Sequence, residues 1–213
     1  MPVKNVFLSV LLVAFCFFCQ AQDAYKLNLR VTGRNAYLSS IHFNSPDLTV
    51  YIDPVGRLIQ DYDVRVNDYY DGIDDDGHNT RFTTINSLGI EHYTNFDWNE
   101  LRGKIKTIGG LTVMYYDRFD RDELIGKIKS IGDIKFIYYD RFDRDELLGK
   151  IKSIGDTHIT YYDRFDDDEL IGKLKTVGNT QITYYDRFDG GYNTGKVKAI
   201  NGTTANVIWH RHL

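Results

Sequence analysis

The chain has 213 residues and a formal net charge of −4, without any block of basic residues. Nucleic-acid binding needs a concentrated Lys/Arg surface, so this charge argues against nucleic acid as a partner. Sixteen Tyr and twelve Phe against three Pro favour a β-rich folded chain over a disordered one.

The first 21 residues have the layout of a secretory signal peptide. Lys4 precedes a mostly apolar run over residues 6–19, and small and polar residues follow. The run is shorter than the roughly 20 residues of a membrane span, and the mature chain is expected to have no transmembrane segment. Cys16 and Cys19 are the only cysteines, so the exported protein is expected to lack disulfides. This predicts a periplasmic, cell-surface or extracellular location.

Residues 22–91 form a less regular segment. The stretch "YIDPVGRLIQDYDVRVNDYYDG" (residues 51–72) repeats Tyr, Asp and Gly at irregular spacing. It predicts divergent β-hairpins that help to cover the apolar face of the sheet that follows.

Residues 92–213 are organised in tandem units. Copies start at His92, Tyr115, Tyr138, Tyr161 and Tyr184, with a period of 23 residues. The first and last copies diverge, and "ANVIWHRHL" at the C-terminus predicts a capping strand. If each unit contacts only its neighbours, deletion of one whole unit should leave a folded protein.

Each unit predicts one β-hairpin. The segments "LLGKIKSI" (residues 147–154) and "HITYYDRF" (residues 158–165) are strand candidates. Side-chain parity favours a three-residue loop over residues 155–157 and a four-residue loop over residues 166–169, with Tyr161 opposite Leu174. The predicted fold class is therefore all-β: an antiparallel meander of tandem 23-residue β-hairpin repeats, curled into a roll, open barrel or spiral.

This register predicts one apolar and one polar face for the sheet. The predicted core face carries Leu147, Ile151, Ile159, Tyr161, Phe165, Leu170, Leu174, Ile182 and Tyr184, with Phe119, Leu124, Ile128, Phe136, Tyr138 and Phe142 in the preceding units. The predicted solvent face carries Lys150, Lys152, Thr160, Tyr162, Arg164 and Lys173.

The motif "YYDxxxxxxLxGKIK" resembles the tyrosine-aspartate repeats of Rhs-type and teneurin-type proteins, and "YIDPVGRL" (residues 51–58) is closer still to their pattern. In that family the repeats build long β-hairpin spirals around a shell or stalk, so the resemblance implies a hairpin array. The chain departs from the family in having few units and an acidic insertion before the glycine.

Tyrosines and arginines of the predicted solvent face are the candidate ligand-binding residues. They are Tyr116, Tyr139, Tyr162, Tyr185, Arg118, Arg141, Arg164 and Arg187. Such an aromatic column could stack on sugar rings or grip a partner. Alternatively, each Tyr packs against the lysine stems on either side and stabilises the sheet without any ligand.

The acidic loops are candidate calcium ligands. Stacked loops would align the carboxylates of Asp120, Asp122, Glu123, Asp143, Asp145, Glu146, Asp166, Asp168 and Glu169 along one sheet edge. The alternative is a set of solvated turns whose charges prevent aggregation.

Parity also puts Asp117, Asp140, Asp163 and Asp186 on the core face, beside Gly126, Gly149, Gly172 and Gly195. A buried carboxylate needs partners. Either the glycines form bulges that turn each Asp outward, or each Asp accepts backbone N–H bonds.

Motifs of known enzyme sites are absent from the sequence, and the expected cofactor is none unless Ca²⁺ binds. His210 and His212 could supply two ligands to a transition metal. A pocket of His, Asp and Glu within residues 23–91 would be the sign of an enzyme. The favoured hypothesis is an exported, non-enzymatic repeat protein with a structural or binding role in the cell envelope or outside the cell. Its partner would be a protein or a glycan, bound by an aromatic and basic sheet face. The alternative is a calcium-stabilised repeat protein.

Overall fold

A computed structural model describes residues 24–44, 46–53, 56–59, 89–189 and 191–211 of the chain. The predicted signal peptide, most of the irregular segment before residue 89, and His212 lie outside these ranges.

The described residues form β-strands joined by short turns and 3₁₀-helices, with no α-helix among them. The strands are β1 (Tyr25–Val31), β2 (Ala36–Asn44), β3 (Asp47–Tyr51), β4 (Ile90–His92), β5 (Ile105–Ile108), β6 (Leu111–Tyr115), β7 (Ile128–Ile131), β8 (Ile134–Tyr138), β9 (Ile151–Ile154), β10 (Thr157–Tyr161), β11 (Leu174–Val177), β12 (Thr180–Tyr184), β13 (Val197–Asn201) and β14 (Val207–Arg211). The 3₁₀-helices are Asp122–Leu124, Asp145–Leu147, Asp168–Leu170 and Arg187–Asp189.

The strands build two sheets. Strands β4 to β13 follow one another in a ten-stranded antiparallel meander that stays open, with β4 and β13 at its edges. A smaller four-stranded sheet has the order β14-β1-β2-β3, in which β14 runs parallel to β1 and the other pairs are antiparallel. The all-β antiparallel hairpin fold expected from the sequence is confirmed, and the C-terminal strand returns to pair with the first strand.

The hairpin turn is one residue shorter than predicted. Ile154 pairs with Thr157 and Ser153 with His158, so only Gly155 and Asp156 form the turn. On the other side of β10, Thr160 pairs with Thr176 and the expected Tyr161–Leu174 pair is confirmed, which leaves Lys175 as an extra residue in a β-bulge. The bulge reverses side-chain parity, and the short turn and the bulge together close the same period.

The predicted core face is largely correct, except at its phenylalanines. Leu147, Ile151, Ile159, Leu170, Leu174, Ile182, Tyr184, Leu124, Ile128, Phe136 and Tyr138 are buried, and Tyr161 packs against them. Phe119, Phe142 and Phe165 are instead 77%, 75% and 76% exposed. Strand pairing of Phe165 with Leu170 is therefore wrong, because a 3₁₀-helix over Asp168–Leu170 turns Leu170 inward in its place.

The core lies between the two sheets, since apolar side chains of both belong to one cluster. Alternate residues of β1 are buried, including Leu27 and Leu29, so one face of the small sheet covers the apolar face of the large one. The Tyr138 hydroxyl donates a hydrogen bond to the Gly56 carbonyl at 3.3 Å, which adds a polar contact across this interface. Over the ranges described, the search found no helix with the length and apolar character needed to cross a membrane.

Candidate functional site

The acidic loop that joins neighbouring hairpins is held in one conformation by its own side chains. In the loop after β8, Asp140 accepts a hydrogen bond from the Phe142 N–H at 2.9 Å, and Asp143 accepts one from the Asp140 N–H at 3.0 Å. Lys152 donates to Asp143 at 2.7 Å from the neighbouring strand. The 3₁₀-helix that follows buries Leu147. The loop is therefore anchored at both ends, and Phe142 is carried at its tip.

Adjacent loops are fastened to one another by glutamates. Glu123 accepts a hydrogen bond from the Arg141 N–H at 3.1 Å, and Glu146 accepts the equivalent bond from the Arg164 N–H at 3.0 Å. The ion pairs Arg121–Asp140 and Arg144–Asp163 join the same loops. These contacts hold successive loops in register along one edge of the ten-stranded sheet.

A row of exposed phenylalanines runs along this edge, and we call it the phenylalanine ridge. Its members occupy the fifth position of each unit and are Phe96, Phe119, Phe142, Phe165 and Phe188. Phe188 is 79% exposed and Phe96 is fully exposed, in keeping with the values for the other three. Neighbouring members lie two strands apart, which corresponds to roughly 9–10 Å along the edge.

Arginines flank the rings of the ridge. The guanidinium carbons of Arg121 and Arg141 lie 5.0 and 5.4 Å from the centre of the Phe142 ring. Phe165 has the same two neighbours one unit later, Arg144 and Arg164. Because several of these arginines also pair with carboxylates, the ridge offers hydrogen-bond donors and acceptors with little local excess of charge.

All four predicted binding arginines lie at the ridge. Arg141, Arg164 and Arg187 each cover the ring of the next residue, and Arg118 lies 4.2 Å from the centre of the Trp98 ring. Trp98 meets Phe119 edge to face at 6.0 Å, so the first unit adds a second aromatic ring. The sequence placed these arginines on the same face as the tyrosines, but they belong to the loops.

A hollow of about 340 Å³ opens beside the ridge, between the loop of one unit and the strands of the next. It is lined by Tyr116, Phe119, Asp120, Arg121, Leu124, Ile137, Tyr138 and Asp140. Ile137 is half exposed here, so the hollow combines an apolar wall with charged groups.

The predicted tyrosine column is largely enclosed within the sheet. Tyr116, Tyr139 and Tyr162 each donate a hydrogen bond to a backbone carbonyl of the next hairpin, at 2.9, 3.1 and 2.9 Å. Tyr162 is only 9% exposed, so its predicted place on an open solvent face is wrong. Burial raises the pKa of all three hydroxyls.

Lysines and neighbouring tyrosines enclose this column further. Lys152 lies 5.3 Å from the centre of the Tyr139 ring, and Tyr139 meets Tyr161 edge to face at 6.0 Å. Tyr185 in the last unit is covered by Lys198 in the same way. The contacts correspond to the alternative interpretation, packing against lysine stems. A ligand-binding role for the tyrosines stays a prediction.

The acidic residues proposed for calcium have partners in the protein. Asp120, Asp143 and Asp166 bind Lys129, Lys152 and Lys175, and Glu123, Glu146 and Glu169 accept backbone N–H bonds of the next loop. Asp122, Asp145 and Asp168 are exposed first residues of 3₁₀-helices. In the part of the chain that the structure describes, no three His, Cys, Asp or Glu side chains group closely enough for a metal. Calcium binding stays a prediction.

The aspartates of the motif belong to the turns. Like Asp140, Asp117, Asp163 and Asp186 accept the backbone N–H of the phenylalanine two residues on. The paired glycines Gly126, Gly149, Gly172 and Gly195 have φ between +76° and +80°, a range that favours glycine. His210 bonds to Asn28 at 3.2 Å, and its proposed partner His212 is outside the described residues.

The ridge was missed at the level of sequence because an apolar side chain at regular spacing indicates a core position. The available signal was the setting of each phenylalanine inside "DRFD", where two aspartates can cap a turn. Searches against protein-family models, curated proteins and solved structures found no match. The resemblance to tyrosine-aspartate repeats therefore rests on the motif alone.

Proposed function

We propose that the protein is an exported, non-enzymatic binding protein whose phenylalanine ridge holds an extended neutral glycan. The observation that carries this proposal is the exposure of Phe142 and its equivalents. Nearby loop residues have packing, capping or pairing contacts, whereas each of these rings remains about three-quarters exposed. Burial of a phenylalanine side chain would contribute roughly 1.5–3 kcal/mol, so repeated exposure of this residue needs a reason outside the fold.

The regular spacing of the ridge favours a polymer as the ligand. Equivalent rings recur every 23 residues on loops held in register, so the surface presents the same feature again and again. A polysaccharide also presents identical units at fixed spacing, and the apolar faces of sugar rings pack against aromatic rings. A folded protein partner rarely offers such a periodic surface.

The charge pattern favours a neutral glycan over a polyanion. Arg121 and Arg144 pair with aspartates, and Arg118 donates two side-chain hydrogen bonds to Glu100. Arginines neutralised in this way keep N–H groups that can reach sugar hydroxyls, while the carboxylates act as acceptors. A polyanion would meet these same carboxylates and be repelled.

Two further features support a binding role outside the cell. The signal-like segment at residues 1–21 is typical of exported proteins, and polysaccharides are major components of cell envelopes and matrices. The same loop geometry recurs from unit to unit, whereas an active site is built around a few distinct groups. This repetition favours avidity over catalysis.

The experiment is a pull-down and titration with cellulose, chitin and xylan, with polygalacturonate as the charged comparison. We expect the wild-type protein to bind at least one neutral glycan more tightly than the polyanion. The variant Phe119→Ser, Phe142→Ser, Phe165→Ser and Phe188→Ser should lose this binding. The control Lys135→Ala, His158→Ala and Gln181→Ala removes exposed side chains from the strands rather than the loops and should bind normally. No glycan binding by the wild type, or equal binding by the two variants, would contradict the proposal.

A further inference from the structure

A cavity of about 400 Å³ lies between the two sheets, far from the loops of the ridge in the chain. Its small-sheet wall is formed by Leu27, Leu29 and Leu38, and its other wall by buried residues of β9 to β12. Those residues are Ile151, Ile159, Leu174 and Val177. The volume falls within the range of about 300–1,000 Å³ that is typical of small-molecule sites.

The rim of the cavity is polar and cationic. Lys173 Nζ donates hydrogen bonds to the Arg34 carbonyl at 2.8 Å and to Asn35 Oδ1 at 3.1 Å, beside exposed Ile171. Lys150 Nζ lies 5.0 Å from the centre of the Tyr161 ring. Within the described ranges no carboxylate pairs with Lys150, and burial lowers the pKa of its ammonium group. The rim therefore holds one cation without an anionic partner.

A buried hydroxyl also lines this cavity. Tyr184 is 4% exposed, and its hydroxyl lies near the Ala36 backbone without a hydrogen bond of good geometry. The Tyr184 ring lies under Lys173, 5.1 Å from its Nζ. Buried hydroxyl groups almost always have partners, so the cavity contains a donor that a bound molecule could satisfy.

We propose that this cavity binds a small amphiphile with an apolar chain and one anionic head group, such as a medium-chain carboxylate. The chain would replace water against the leucine and isoleucine walls. The carboxylate would accept hydrogen bonds from Lys150 at the rim and from Tyr184. This site is independent of the ridge, so either proposal can fail without the other.

The test is isothermal titration of the full chain with decanoate, decanol and decylammonium, below the concentrations at which they form micelles. We expect one decanoate per chain, weaker binding of decanol, and binding of decylammonium at least about tenfold weaker than that of decanoate. Hydrogen bonds to charged groups are stronger than neutral ones, which sets this order. Absence of decanoate binding, or equal affinity for all three, would overturn the proposal.

The repeating sequence supplies matched control variants. Lys150→Gln should weaken decanoate binding about tenfold and leave decanol binding unchanged. Lys104 has the same surroundings in an earlier unit, with its Nζ 5.2 Å from the Tyr115 ring, but does not line the cavity. Lys104→Gln should therefore bind decanoate like the wild type. Equal losses in the two variants would show a general charge effect and overturn the site.

A second pair tests the hydroxyl group. The hydroxyls of Tyr184 and Tyr115 are both buried without a well-formed hydrogen bond, but only Tyr184 lines the cavity. Tyr184→Phe should weaken decanoate binding several-fold and Tyr115→Phe should not. Since both substitutions remove a hydroxyl without a well-formed hydrogen bond, both variants should fold. Unchanged affinity in Tyr184→Phe would remove the hydroxyl from the proposal, and unchanged affinity in Lys150→Gln as well would overturn it.

Discussion

The Tyr25 hydroxyl donates a hydrogen bond to the Ile154 carbonyl at 2.7 Å, across 129 positions of the chain. Tyr25 begins β1 in the small sheet, and Ile154 ends β9 directly before the turn at Gly155. A Cβ atom on Gly155 would lie 2.6 Å from the Tyr25 hydroxyl oxygen. Close packing at this turn therefore joins the two sheets.

Substitution of two equivalent turn glycines should separate backbone strain from this contact. Gly155 and Gly132 have φ of +52° and +54°, so alanine costs about 1–2 kcal/mol of strain at either position. At Gly132 the added Cβ would meet only Leu111 Cδ2 at 3.2 Å. We expect Gly155→Ala to lose about 1–3 kcal/mol more than Gly132→Ala, measured by urea unfolding. Equal losses would show that the Tyr25 contact contributes nothing.

Tyrosine-to-phenylalanine substitutions should distinguish two kinds of buried hydroxyl. Tyr162 donates to the Ile182 carbonyl at 2.9 Å, whereas the Tyr184 hydroxyl has no well-formed hydrogen bond. Tyr162→Phe should reduce the free energy of unfolding by about 1–2 kcal/mol. Tyr184→Phe should change it by less than about 0.5 kcal/mol or increase it. The reverse order of stabilities would contradict the hydrogen bonding described for the tyrosine column.

Stability should fall in acid because glutamates join the loops. The hydrogen bond from the Arg118 side chain lowers the pKa of Glu100 from 4.5 to about 2, and the bond from the Arg164 backbone lowers the pKa of Glu146. A carboxyl whose pKa is lower in the folded state stabilises the fold above its unfolded pKa. For Glu100 this contribution is lost as the pH falls from 4.5 towards about 2.

Melting temperatures measured across this range provide the check. Glu100→Gln with Glu146→Gln should show a flatter decrease between neutral and acid pH than the wild type. The control Glu91→Gln alters an exposed glutamate that takes no part in the contacts between loops, and it should follow the wild-type curve. Identical pH dependence in all three proteins would exclude this role for the glutamates.

Deletion of a central unit should disrupt the fold, contrary to the expectation for a simple linear array. Removal of residues 138–160 takes away Ile154 and Thr157, which both bond to Tyr25. It also shortens the path by which β14 reaches its parallel partner β1. Removal of residues 92–114, at the edge of the sheet, deletes the same number of residues and should be tolerated better. Circular dichroism and thermal melts would test this, and equal tolerance of both deletions would restore the linear interpretation.

Much of the fold follows from the sequence because period and side-chain parity constrain it. The burial of Ile151 and the pairing of Tyr161 with Leu174 follow directly from alternation along a strand. The turn does not, because a three-residue loop and a two-residue loop with a bulge at Lys175 give the same period. The parallel pairing of β14 with β1 depends on contacts distant in sequence, and so does the cavity between the sheets.

The binding surface was the least predictable feature. Apolar character alone places Phe142 in the core, but the capping of its N–H by Asp140 commits the segment to a turn. The ring is then directed outward, as its exposure shows. Local hydrogen bonding therefore outweighed hydrophobicity at this position, and the arginines moved to the edge with it.

The central claim is that the ridge binds one extended glycan through several equivalent rings. The most direct measurement is the affinity of the wild type, and of variants with one, two, three or four of Phe119, Phe142, Phe165 and Phe188 changed to Ser, for a soluble neutral glycan that spans the ridge. Thermal melts of each variant verify folding. Each lost ring should reduce the affinity by a similar several-fold factor, since linked contacts multiply. A flat series, or complete loss with one ring and no effect of the others, would contradict a multivalent ridge.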